Sequence, residues 1–201
     1  AVLLYSLLQK QEHDFHLRLR PVRIAMPVNL RRFFPSKTLR NFITMVYPSI
    51  DPRLGDYTFE EIVTQVHHYM RYYINSKFLR GDITTNASTQ RNPLIRIVPL
   101  FLKDFVVRQF YQRVQDKNSS AGLTNMGAIR VPDDMKPYLE RFDIYMGIPY
   151  SQRTNCAIVS FEDTLTVYFA SCIIEADVER RFFQKLVEDG MPVTIESNRE
   201  L

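Results

Sequence analysis

The chain has no tryptophan, only two cysteines, and no apolar run long enough to cross a membrane. Two thiols do not make a disulfide framework. Cys156 and Cys172 both fall in apolar, strand-like stretches and are expected as free, buried thiols in a reducing compartment. The opening A-V-L-L-Y-S-L-L is too short for a span. No basic leader precedes it and no small-residue cleavage site follows, so it does not read as a signal peptide. Val2, Leu3, Leu7 and Leu8 read instead as one face of a helix already under way. A start without Met suits a processed, proteolysed or trimmed chain. No Gly-rich phosphate loop, zinc ligand set or acidic metal motif occurs. No linker, repeat or low-complexity tract divides residues 1–201, so a single unit with no internal boundary is expected.

What is present is an ordinary mixture: 201 residues, 45% hydrophobic and 24% charged. Fourteen Phe and eleven Tyr favour strands and deep packing. The formal net charge is +4. Its densest cations, Arg18 to Arg23, Arg31-Arg32 and Arg180-Arg181, are interrupted by apolar residues. Such a weakly basic surface suits either an anionic cofactor or a plain solvated face. Neither a nucleic-acid nor a membrane partner is expected, and the setting expected is cytoplasmic.

The periodicity predicts a helix over residues 1 to 13 and a strand-like stretch from Leu17 to Val28, interrupted at Pro21. Its last part, Arg23 to Val28, is apolar and ends at an Asn-Leu-Arg-Arg turn. Thr38 to Asn41 reads as a short helical or turn insert, and Phe42 to Ser49 as a second strand. Pro35-Ser36 and Pro48 to Pro52 are turns. Thr58 and Glu61 form a capping box. The helix they open presents Ile62, Val66, Tyr69, Met70 and Tyr73, and is expected to run to about Phe78. Asp82 to Asn92 reads as a polar connector. A further helix is expected over Leu94 to Val114, with Leu102, Phe105, Val106 and Phe110 on its apolar side.

After Lys117 the period changes from helix to strand. Strands are expected at Leu123 to Ile129, at Phe142 to Met146, along Cys156 to Phe161, and from Leu165 to Ser171. The last two form an antiparallel hairpin turning at Glu162-Asp163, buried on both faces. A helix at Asp177 to Glu188 carries Val178, Phe182, Phe183, Leu186 and Val187 on one side, and Gly190 ends it. The fold class expected is α+β, a mixed sheet packed with helices.

The order I-A-M-P-V-N-L-R-R-F-F-P-S-K-T-L-R-N-F-I-T-M-V-Y-P-S-I at 24–50 resembles the crossover of one acyltransferase superfamily. It holds chloramphenicol acetyltransferase, condensation domains and alcohol O-acetyltransferases. S-S-A-G-L-T-N-M-G at 119–127, F-D-I-Y-M at 142–146, the hairpin, and E-R-R-F-F-Q-K-L at 179–186 resemble its carboxyl-terminal part. Asn29-Leu30-Arg31 and Arg40-Asn41-Phe42 are nearest the alcohol acetyltransferase branch. Condensation domains usually carry Gly where Arg40 stands. The resemblance implies the carboxyl-terminal half of a coenzyme A-dependent acyltransferase, with acyl-coenzyme A as cosubstrate and a hydroxyl acceptor. An acyl carrier protein is the alternative donor. The partner implied is a missing amino-terminal half, or a second copy by self-association. A non-catalytic interaction module is the competing class.

The family's base is the second His of His-His-x-x-x-Asp-Gly, which should lie before residue 1. His67-His68 is followed by Y-M-R-Y-Y instead, and falls in a helix where the signature needs a loop. Adjacent helical residues also point about 100° apart, against a shared metal. His13 and His16 read as surface groups. Ser160 lacks a Gly-x-Ser-x-Gly elbow, and Cys156 has no basic neighbour in sequence. No catalytic residue is therefore assigned within the chain. The resemblance makes Ser120, Thr124 and Asn125 the candidates to line the acceptor or thioester channel, where hydroxyl or amide donors hold a developing oxyanion. Ordinary strand hydrogen bonding is the alternative for them. The Asp-Phe-Gly-Trp-Gly motif of plant relatives is absent, so its structural support does not carry over. Asn29 and Arg31 are expected at the interface with the other half, Arg31 pairing with the signature Asp, or else as a turn cap with exposed arginines.

Overall fold

A computed structural model of the chain describes residues 1–13, 19–91, 99, 100, 102, 104, 108, 119–148 and 152–198. Strand β1 (Val22–Asn29) is the one around which the sheet assembles. On one side it pairs antiparallel with β2 (Ile43–Val46) and with the two-residue β3 (Ser49–Ile50). The pairs Met26–Val46 and Arg23–Ser49 keep one register. The strand expected over Phe42 to Ser49 is thus one arm, split at Tyr47-Pro48 because proline has no N–H to offer the ladder. Its carbonyl still accepts from Ile24 N–H at 3.0 Å. The insert expected at Thr38 to Asn41 is an irregular loop; the short helix precedes it, a 3-10 turn at Leu30–Arg32.

On its other side β1 runs parallel to β4 (Ala121–Ala128), and β4 parallel to β5 (Thr154–Phe161). β6 (Thr164–Ser171) closes the far edge antiparallel to β5. The order is β2-β1-β4-β5-β6, with β3 pairing β1 in line with β2. Among the described residues the helices are α1 (Val2–His13), α2 (Phe59–Tyr73), α3 (Ser76–Arg91) and α4 (Asp177–Glu188). The architecture is α+β, a mixed sheet, six-stranded among the described residues, packed with helices.

Side-chain alternation gives the sheet two faces. Val22, Ile24, Ala121 and Cys156 share one of them. They form a core with Leu3, Leu4 and Leu8 of α1, Ile62 of α2, and Val178 and Phe182 of α4. Each such buried Leu, Ile or Val contributes roughly 1.5–3 kcal/mol relative to exposure. α4 ends as expected: Gly190 takes φ 82°, its N–H meets Val187 O, and Met191 N–H meets Leu186 O, which satisfies carbonyls of the last turn. Val187 is exposed rather than on the packed side.

The capping box at α2 forms in both directions: Thr58 Oγ1 accepts Glu61 N–H, and Glu61 Oε2 accepts Thr58 N–H at 2.8 Å. These bonds hold the Glu61 carboxyl below its usual range. The box therefore contributes above the ordinary glutamate pKa and is lost as pH falls through the lowered value. α2 ends at Tyr73, short of Phe78. Asn75 then restarts the chain, its Oδ1 accepting the N–H groups of Lys77 and Phe78. α3 continues to Arg91, so most of the connector expected at Asp82 to Asn92 is helix. Side chains there bond back to the preceding turn, Thr84 to Arg80 O and Thr85 to Gly81 O. Leu100, Leu102, Asp104 and Arg108 are helical, as expected for that stretch. Phe105, Val106 and Phe110 lie outside the described residues, as does His16.

Phe142 to Met146 is extended but is not a strand of the sheet. Its alternation is real: Phe142, Ile144 and Met146 are half-buried and their neighbours exposed. It lies across the face opposite the helices. Phe142 meets Phe161 edge-on with ring centres 5.1 Å apart, Tyr145 meets Tyr168 at 5.0 Å, and Gly147 O accepts from Asn155. Period two reports burial on one side, which a strap across a sheet face satisfies as well as a strand within it.

The β5–β6 hairpin turns in two residues, Glu162-Asp163, between the paired Phe161 and Thr164. β6 is mostly half-buried, unlike β5. Glu162 has φ 48°, left-handed for a residue with a Cβ, a conformation costing about 1–2 kcal/mol. Glu162→Gly is expected to raise stability by about 0.5–1 kcal/mol, read as a higher midpoint in urea unfolding.

Candidate functional site

The face opposite the helices is where polar groups gather. Gly122 of β4 pairs with Asn155 of β5, and Thr124 with Ala157, so Gly122, Thr124, Asn155 and Ala157 point to this side. Ser120 lies two residues before Gly122. Its N–H donates to Arg23 O at 2.7 Å, and its Oγ accepts Arg23 N–H at 3.2 Å. Ser120 thereby clasps β4 to β1 through both backbone and side chain.

Behind it sits a buried amide that the sequence reading did not single out. Asn155 is 1% exposed. Its Oδ1 accepts Gly122 N–H at 3.0 Å, and its Nδ2 donates to Gly147 O at 3.1 Å. Gln152 Nε2 donates to Ser119 Oγ at 2.7 Å alongside. A buried amide needs such partners, since an unmet one costs about 1–3 kcal/mol. A Cβ on Gly122 would stand 2.5 Å from Asn155 Oδ1 and 2.8 Å from Gln152 Oε1. Glycine is what lets the amide approach. The signal for Asn155 was present: one Asn inside the apolar run T-N-C-A-I-V.

The three channel candidates do not converge. Asn125 follows Thr124 and so turns to the other face. It is exposed, and its Oδ1 accepts Gly127 N–H at 2.8 Å. That bond shapes the irregularity between Asn125 and Ala128, where Gly127 takes φ 75°. Ser120 Oγ is engaged with β1. Thr124 is half-buried, as is Ser120, but among the described residues its hydroxyl has no hydrogen-bond partner.

Asn29 and Arg31 sit at the carboxyl end of β1. Asn29 Oδ1 accepts Arg31 N–H at 3.0 Å, capping the 3-10 turn. The Arg31 guanidinium is exposed and donates to Thr38 O at 3.0 Å and Arg40 O at 2.7 Å. In this chain it closes the 31–40 loop.

His67 and His68 are both exposed on α2, their rings edge-to-face with centres 5.8 Å apart. A shallow concavity on the same helix is lined by Glu60, Glu61, Thr64, Gln65 and His68, but Glu61 is committed to Thr58. No group of three or more potential metal ligands occurs among the described residues. His13 is exposed at the end of α1. Ser160 is half-buried within β5. Among the described residues no helix is long and apolar enough to cross a membrane. Cys172 lies just past the end of β6 and is exposed, against expectation, because its strand has already ended. No family model matches the chain, and no curated protein matches it.

Cys156 is buried in the helix-side core, and burial pushes its thiol up to about 12. It holds its proton at neutral pH, which removes it as a nucleophile. Native alkylation with iodoacetamide is expected to add one label, at Cys172, and a second only after unfolding. Intact mass distinguishes the two. Gly122→Ala is expected to destabilise by about 1–3 kcal/mol, because the added carbon displaces the Asn155 amide from its bond. Urea titration measures that loss.

Proposed function

We propose that the chain is the carboxyl-terminal part of an acyltransferase similar in fold to chloramphenicol acetyltransferase. It transfers an acyl group, acetyl in the first instance, from coenzyme A to a hydroxyl acceptor. The observation that carries this reading is the placement of Thr124. It stands in the middle strand of three parallel strands, on the face away from the helices, and among the described residues its hydroxyl has no hydrogen-bond partner. A hydroxyl fixed in this way donates to a thioester carbonyl as it becomes an oxyanion. Ser120 and Asn125 support it from either side, one fixing β4 to β1 and the other shaping the end of β4.

The general base belongs to an amino-terminal half that this reading requires. Neither exposed histidine on α2 shares a face with Thr124. In this account Asn29 and Arg31 stand at the junction between halves, with Arg31 ordering the loop that meets the partner. A carrier-protein thioester is the alternative donor, since both donors share the same reactive arm. The chain alone is expected to be inactive, and to associate with the missing half or with itself.

The test uses the intact enzyme with acetyl-coenzyme A and an acyl carrier protein as alternative donors. Product is sought by mass spectrometry over a panel of alcohols and amines. Thr124→Ala is expected to lower kcat by about a hundred-fold or more, the scale of one lost oxyanion donor, with KM for the donor little changed. An unchanged kcat removes Thr124 from the site. No acyl product from either donor rejects the acyltransferase reading.

A further inference from the structure

We propose that the outer edge of β2, with the loop before it, is a docking site for an extended acidic peptide segment of a partner protein. Among the described residues β2 is the last strand on its side of the sheet. Leu30 N–H bonds to Phe42 O, and Ile24 N–H to Pro48 O, so the even-numbered residues of this arm face β1. Alternation then turns the N–H and C=O groups of Ile43 and Met45 outward. The next outward N–H, that of Tyr47, is taken by Tyr69 Oη of α2 at 2.9 Å. The open edge is therefore short and bounded: α2 closes one end, and Ile43 and Met45 are what remain.

That edge is apolar and most of the charges around it are cationic, the exception being Asp82 of α3, whose carboxylate accepts the Thr44 hydroxyl at 3.3 Å on the helix side. Ile43 is 46% exposed, Met45 39%, and Leu39 at the loop tip 102%. The four residues of β2 carry no charge. Arg32, Lys37 and Arg40 are exposed on the loop, and Lys77 and Arg80 on α3. Arg80 stands 6.0 Å from the Phe34 ring, which brings the two groups of cations together. Among the described residues none of the five is in an ion pair. No carboxylate occurs from Arg31 to Ile50. The loop is held for this task by the Arg31 guanidinium and by the Leu30–Phe42 bond at its base.

A strand edge is recognised by adding a strand, with main-chain bonds giving affinity and side chains giving specificity. Protective charges on an edge would lie on the strand itself; here they lie beside it. Uncompensated cations attract a segment of opposite sign. A second copy of β2 would bring the same cations to the same place, so self-pairing is disfavoured by charge. The segment that fits alternates carboxylates with apolar side chains. This inference does not depend on the acyl-transfer reading.

The experiment titrates the full chain with a synthetic Glu-Val repeat peptide, using a Lys-Val repeat as control. Affinity is followed by fluorescence anisotropy, and amide hydrogen exchange is followed at Ile43 and Met45. The acidic peptide is expected to bind and to protect both amides. Met45→Pro removes an outward N–H that the fold does not use, and is expected to abolish that protection while circular dichroism stays native. Lys37→Glu with Arg40→Glu, an independent exposed pair, is expected to weaken binding about ten-fold or more. Equal affinity in this double variant overturns the proposal. So does binding that leaves the two amides unprotected, or an edge occupied by a second copy in the unliganded chain. Preferential capture of an RNA oligonucleotide by the same cations overturns it as well.

Discussion

The parallel pairing of β1 with β4 is the contact on which the sheet depends. It joins Arg23 to Ser120 across 97 residues. Without it the chain holds two separate ladders, β1 with β2 and β3, and β4 with β5 and β6. Closing so long a loop is unfavourable, though the cost grows only about 0.6 kcal/mol per doubling of length. The register at the junction is pinned twice by one residue, since Ser120 both donates to and accepts from the Arg23 backbone. A slip of one residue would turn Thr124 to the helix side and Leu123 away from the core. The junction thus fixes which face carries polar groups.

The two faces are finished in different ways. The helix face is closed by apolar burial, with α1 and α4 supplying Leu3, Leu4, Leu8, Val178 and Phe182. The other face is covered along β5 and β6 by a single extended strap, which supplies aromatic contacts but no ladder of backbone bonds. Its alignment falls to Asn155, whose amide ties the strap at Gly147 to β4 at Gly122. One buried amide satisfied at both ends specifies position in a way apolar contacts do not. The strap is tied again outside, where Arg141 is bidentate to Glu196 and also reaches Asp143. Those groups are solvent-exposed, so that link contributes little beside the buried one.

Elements with a strong local signal were legible in the sequence. α1, the capped start of α2, the β5–β6 hairpin and α4 all have a period or a cap that contains its own explanation. The errors fall where local pattern and tertiary use diverge. Phe142 to Met146 alternates correctly, yet alternation cannot tell a strap from a strand. Asp82 to Arg91 is rich in Thr, Asn and Ser, which compete with the helix backbone when isolated. Here Thr84, Thr85 and Ser88 bond back along the helix instead. Cys172 looked buried because it adjoins an apolar strand, but that strand ends at Ser171, as read, and leaves Cys172 outside it. The candidate site was half legible. Ser120, Thr124 and Asn125 were found by their chemistry, but their roles follow from period two, which sends Asn125 to the face away from Thr124. Asn155 was missed because its meaning lies in Gly122, thirty-three residues away.

The position of β4 also limits the chemistry this face can offer. β4 pairs with β5 from Gly122 to Asn125 and at Ala128, but with β1 only at Ala121 and Gly122, and its Gly122 N–H goes to the Asn155 side chain. Ser120 Oγ and Asn125 Oδ1 are engaged as well. Among the described residues β4 itself brings to this face one side-chain hydroxyl without a hydrogen-bond partner, that of Thr124, while β6 brings Tyr168 and Thr166. Such a group can steady developing negative charge, because its placement costs no reorganisation when that charge appears. It cannot take a proton from an acceptor alcohol at neutral pH, which needs a base of suitable pKa within hydrogen-bond reach. His67 and His68 are exposed on α2 and do not reach this face. Under the acyl-transfer reading the base must therefore approach from the open side of the sheet, carried by a surface that faces Thr124.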